Sequence, residues 1–86
     1  MYLHIGQGYV VKTRDIIGIF DIDNTSVSKK TREYLNKKEK QGSIINTAAD
    51  IPKSFIVTEN KNKIKVYLSQ PTPTTLIKRV NFIEKE

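Results

Sequence analysis

Eighty-six residues with 37% hydrophobic content leave room for one compact domain with a thin core, because independent cores need roughly 50 to 200 residues and small domains bury only about 60% of their unfolded surface. The absence of cysteine excludes a disulfide framework and a thiolate metal site, so subunit association is the remaining way to reinforce so small a core. Fifteen Lys and Arg against nine Asp and Glu give a formal charge of +6 and a pI near 9.7, a balance that favours polyanionic partners.

In chain order, Tyr2-Leu3-His4-Ile5 and Tyr9-Val10-Val11-Lys12 read as two short strands around the glycine-bearing turn Gly6-Gln7-Gly8, a first hairpin. After Thr13-Arg14, the run Asp15-Ile16-Ile17-Gly18-Ile19-Phe20-Asp21 is nearly continuous in apolar residues, the pattern of a central strand buried on both faces. Asp23-Asn24-Thr25-Ser26 is dense in capping residues, and residues 27–41 hold neither Pro nor Gly before Gly42 supplies a stop, which predicts a helix. Its apolar positions, Val27, Tyr34 and Leu35, make only a narrow stripe. Lys29, Lys30, Arg32, Lys37, Lys38 and Lys40 against Glu33 and Glu39 leave a local excess of four positive charges.

Ser43-Ile44-Ile45-Asn46 reads as a short extended piece, and Thr47-Ala48-Ala49-Asp50-Ile51-Pro52 as a loop. Ser54-Phe55-Ile56-Val57-Thr58 and Lys63-Ile64-Lys65-Val66-Tyr67-Leu68 flank the polar turn Glu59-Asn60-Lys61-Asn62, a second hairpin. In its second strand Ile64, Val66 and Leu68 alternate with Lys63, Lys65 and Tyr67, predicting one core face and one wet face. Thr72 before Pro73 is an N-cap before a first-turn proline, and Leu76, Val80 and Ile83 follow at helical spacing, so a short amphipathic helix closes the chain. Ile77 and Phe82 lie off that stripe, where they either cover the sheet or meet another subunit. The expected architecture is α+β: a small single domain, residues 1–86, with two hairpin units forming a sheet, a middle helix and a short terminal helix.

Few constellations carry chemistry. Asp21 and Asp23 in Asp-Ile-Asp-Asn-Thr resemble an aspartyl phosphatase nucleophile and its acid/base partner. The later acidic cluster that would hold Mg²⁺ is missing, and a strand end followed by a helix cap explains the same residues. A calcium loop would need Gly where Ser26 stands and Glu where Arg32 stands. His4 is the single histidine, which excludes a multi-histidine zinc site within one chain. No enzyme, cofactor, metal or small-molecule substrate is therefore expected. No apolar run approaches the ~20 residues of a membrane span, and Met1-Tyr2-Leu3-His4-Ile5-Gly6 lacks the basic and apolar regions of a signal peptide. A cytoplasmic chain with no membrane partner is the expectation.

Arg14 and Lys12 stand at a strand junction, where flanking strands limit the freedom a side chain loses on binding phosphate or a base edge. Lys53 beside Pro52, with Lys78 and Arg79 on the last helix, extends the candidate basic surface.

The ordered segments Met1-Tyr2-Leu3-His4-Ile5-Gly6, residues 9–21, residues 52–58, Tyr67-Leu68-Ser69, Thr75-Leu76 and Lys78-Arg79 together resemble the RemA/RemB-like extracellular matrix regulators of bacteria, with the RemB side of the family the nearer. The resemblance spans nearly the whole chain and is strongest in the first 21 residues. It implies a cytoplasmic, non-enzymatic DNA-binding regulator of biofilm matrix genes that assembles into a closed ring, repeating a weak basic site many times. Arg14 matches the strand-junction arginine that contacts DNA in RemA-like proteins. Asp50-Ile51 stand where those proteins carry an arginine pair, with Lys53 the basic residue left in that loop. Two expectations follow: a homo-oligomer that binds DNA through Arg14, Lys12 and Lys53, or an oligomeric adaptor that binds protein and does not touch DNA.

Overall fold

A computed structural model describes residues 1–22 and 29–84. The capping run at 23–26, with Asp23 of the phosphatase-like motif, and Val27 lie outside the described residues, as do the side chains of Phe82 and Ile83. Strands β1 (Tyr2–Gly6) and β2 (Tyr9–Lys12) form an antiparallel hairpin, and a 3-10 turn (Thr13–Asp15) leads into β3 (Ile16–Asp21). Helix α1 (Lys29–Lys40) is followed by β4 (Ile44–Asn46), then the hairpin β5 (Ser54–Asn60) and β6 (Lys63–Ser69), then α2 (Pro73–Glu84).

The α+β class is borne out, but the two hairpins pair in separate sheets. β1 and β2 make a two-stranded sheet, and a four-stranded sheet has the order β3-β5-β6-β4. Its ladders are antiparallel except for β4 against β6, which is parallel. The short extended piece at Ile44 is thus an edge strand.

Local chemistry accounts for the turns. Gln7 and Gly8 have φ of 43° and 82°, and Lys61 and Asn62 have φ of 52° and 65°, so each hairpin closes through two left-handed residues, whose twist matches that of the strands. At the end of α1, Gly42 takes φ 71°, its N–H donates to the Glu39 carbonyl at 3.0 Å, and the Ser43 N–H donates to the Lys38 carbonyl at 3.0 Å. Two carbonyls of the last turn are thereby satisfied. The Thr75 N–H donates to Thr72 Oγ1 at 3.3 Å, so Thr72 caps α2 as its sequence predicts.

Two hydrophobic clusters lie on opposite faces of the four-stranded sheet. Leu3, Ile5, Val11, Ile56 and Leu76 join the first hairpin and α2 to one face. Phe55, Val57 and Val66 form the other, against which Tyr34 and Leu35 of α1 pack. A sheet covered on both sides needs a strand buried on both sides, and that strand is β5, whose residues Ser54 through Thr58 are all buried.

The expectation that residues 15–21 form the central strand is therefore corrected: the strand is β3, Ile16–Asp21, and it lies at the sheet edge, with Ile17 59% and Phe20 40% exposed. Its apolar run has a different cause. Ile16 and Ile19 pack against the α2-side cluster, while the Phe20 ring stacks on Phe55 with centroids 5.0 Å apart and fills the space that a side chain on Gly18 would take. Tyr67 is likewise not on a wet face, because α2 and the first hairpin cover that side of β6 and Tyr67 packs against their cluster; Lys63 and Lys65 are exposed.

Buried hydroxyls join the layers. Ser69 Oγ, wholly buried, donates to the Ile5 carbonyl at 2.6 Å, where the β1–β2 register breaks between His4 and Gly6. Ser54 Oγ donates to the Pro71 carbonyl at 2.8 Å. Ser69→Ala is expected to cost about 1–3 kcal/mol in urea denaturation, because it strands a buried acceptor. A loss below about 0.5 kcal/mol would show that this bond does not hold the hairpin on the sheet.

Candidate nucleic-acid interface

Arg14 sits on the 3-10 turn between β2 and β3. That turn is fixed from both sides: the Thr13 N–H donates to the Met1 carbonyl at 3.1 Å, and Asn60 Nδ2 at the tip of β5 donates to Asp15 Oδ2 at 3.1 Å. The Arg14 side chain is 76% exposed, and its Nε lies 4.0 Å from Asp15 Oδ1. An ion pair at that distance in solvent contributes little, so the guanidinium keeps most of its donors for a ligand.

Lys12 lies close by and lines a hollow of about 370 Å³ with Lys61, Lys63, Lys65 and Asp15. Arg14 and Lys12 therefore occupy one end of the molecule, beside the β5–β6 turn. Lys53 does not. It precedes the opposite end of β5, roughly 16 Å of strand away from Thr58, which lines the Lys12 hollow. There Lys53 lines a hollow of about 540 Å³ with Gln7, Thr72, Thr75 and Arg79. Arg79 Nη1 donates to the His4 carbonyl at 3.1 Å, so this cation is tied to β1. Asp50 and Ile51 are exposed in the preceding loop, Ile51 at 74%.

Lys61, Lys63 and Lys65 were not singled out by sequence reasoning, which treats them as a polar turn and a wet strand face. The signal was the alternation of Lys63 and Lys65, which project from one side of β6, next to Lys61 in the turn before it. Its significance depends on Lys12 reaching the same hollow from another sheet, which strand order determines.

Among the described residues no cluster of three His, Cys, Asp or Glu has the arrangement of a metal site, and no helix is long and apolar enough to cross a membrane.

Comparison with known proteins bears on the same surfaces. The sequence profile of the RemA-like proteins, described as "Extracellular matrix regulatory protein A-like", matches residues 2–80. The chain belongs to the RemA-like family. It is also similar to "Extracellular matrix regulatory protein B" of Bacillus subtilis (strain 168), with 36% identity over 83 residues, 96% of this chain and 94% of that protein. The RemA-like match covers both hairpins, the Arg14 turn and most of α2, so it includes both basic ends.

Proposed function

We propose that this chain is a non-enzymatic, cytoplasmic DNA-binding regulator of extracellular matrix genes that acts as a homo-oligomer in a closed ring. The observation that carries the reading is Arg14, a largely exposed guanidinium on a turn fixed by hydrogen bonds from both sides. The backbone that carries this cation is already ordered before binding, and Arg suits bidentate contact with phosphate or guanine. Lys12 supports it from the same end, and Lys53 adds a phosphate contact from the other. A weak site repeated around a ring gains avidity without new contacts. Membership in a family of matrix regulatory proteins supports the regulatory role.

The test is a mobility shift with matrix-gene promoter DNA at two salt concentrations, alongside light scattering. Arg14→Ala is expected to weaken binding roughly 5- to 150-fold, the equivalent of about 1–3 kcal/mol. A parent protein that is oligomeric but does not shift DNA supports the adaptor reading instead. An Arg14→Ala variant with parental affinity and salt slope removes Arg14 from the interface, and a monomeric mass overturns the assembly.

A further inference from the structure

The Lys12 hollow is adjoined by another, of about 340 Å³, lined by Lys38, Gln41, Gly42, Ser43, Asn62, Lys63, Ile64 and Lys65. The two share Lys63 and Lys65, so Lys12, Lys61, Lys63, Lys65 and Lys38 form one basic tract across the end of the sheet. It runs from the first hairpin, over the β5–β6 turn, to the last turn of α1. Asp15 is the one acid among the lining residues, and its carboxylate is engaged by Asn60 and faces Arg14.

We propose that this tract is a second contact surface for double-stranded DNA, binding the phosphate backbone with the β5–β6 turn as its centre. The proposal rests on the DNA-binding reading above and adds residues that the Arg14 assignment leaves out. Several features favour a polyphosphate rod over a small anion. The lysines stand around two open, adjoining hollows, and Lys63 and Lys65, two residues apart on one strand, leave the same face about 7 Å apart. Gln41 and Asn62 line the same hollow as Lys38, Lys63 and Lys65, and their amides are uncharged donors suited to sugar and phosphate. Lys38 Nζ lies 5.7 Å from the Tyr34 ring centroid, a cation–π contact that orients it beside the tract. Lys61 occupies a left-handed turn position, φ 52°, where glycine or asparagine is the easier residue. A lysine held there at a conformational cost is accounted for when its charge is used.

The test measures fluorescence anisotropy of a labelled promoter duplex with the full chain between 50 and 200 mM salt. Lys61→Asn removes one charge and installs a residue suited to the turn, so folding is retained; the slope of log affinity against log salt should become shallower by about one. Lys63→Gln combined with Lys65→Gln should make it shallower by about two, with unchanged thermal stability because both side chains are exposed. Unchanged slopes in both variants, with Arg14→Ala still weakening binding, overturn the tract and leave the DNA-binding reading intact. A parent that binds no duplex overturns both. Anionic phospholipid vesicles form the comparison arm: variants that lose vesicle binding while keeping the parental DNA slope would assign the tract to a membrane surface and overturn the proposal.

Discussion

Leu76→Ala is expected to be among the most damaging single changes to this domain, lowering unfolding free energy by about 2–5 kcal/mol. Leu76 is wholly buried and joins α2 to Leu3, Ile5, Val11 and Ile56. At about 0.05–0.15 kcal/mol per residue, a chain of 86 residues has roughly 4 to 13 kcal/mol in total, so the loss is a large share. Neighbours on two sheets and a helix have no easy way to collapse into the space, which places the cost toward the upper part of that range. In thermal unfolding the midpoint should fall by at least about 10 °C. Ile77→Ala is the matched control, because Ile77 is 45% exposed and its truncation should cost under about 1 kcal/mol in the isolated chain. If the two variants unfold alike, α2 is not docked through Leu76. If the protein is an oligomer its midpoint also rises with concentration, so both variants must be compared at one concentration.

The thin core expected from composition takes a specific form. Among the described residues the buried hydrophobic set is Leu3, Ile5, Val11, Phe55, Ile56, Val57, Val66 and Leu76, divided between the two faces of one sheet. Neither cluster is large, and buried hydroxyls of Thr47, Ser54 and Ser69 occupy the layers between elements. Each makes a hydrogen bond to a main-chain carbonyl, so burying them does not leave polar atoms unsatisfied.

What was legible in the sequence was local. Thr72 before Pro73 marked the start of α2, Gly42 marked the end of α1, and the alternation of Lys63, Ile64, Lys65 and Val66 gave the orientation of β6, because each signal depends on backbone chemistry within a few residues. What was not legible was lateral order. An apolar run such as Ile16 to Phe20 looks the same whether sheet neighbours flank it on both sides or a helix covers one face and an aromatic ring fills a glycine gap on the other. The site divides the same way. The position of Arg14 on a turn between two strands could be read from the sequence, whereas the separation of Lys12 from Lys53, and the meeting of Lys12 with Lys61, Lys63 and Lys65, depend on how two sheets pack. Contacts of that kind join residues about 50 positions apart and have no short-range signature.

Gly6→Ala is expected to cost about 3 kcal/mol or more, from two causes that add. Gly6 has φ 148°, a conformation side-chain-bearing residues rarely adopt, and a Cβ there would lie 2.6 Å from the Thr47 carbonyl oxygen. Thr47 cannot easily retreat: it is 1% exposed, and both its N–H and its hydroxyl donate to the Leu68 carbonyl, at 2.9 and 2.7 Å. The first hairpin would have to lift away, straining the Ser69 bond to Ile5 one residue earlier. Gly8→Ala separates the two causes, since Gly8 has φ 82° but open space around it; its cost should be about 1–2 kcal/mol, from backbone conformation alone. Equal losses in urea denaturation would show that the approach to Thr47 is not tight. On the DNA-binding reading, Gly6→Ala should keep near-parental affinity at 25 °C, because a loss of about 3 kcal/mol from a total of roughly 4 to 13 leaves most molecules folded. Its salt slope should remain parental, since that slope counts phosphate contacts and no charge has been removed.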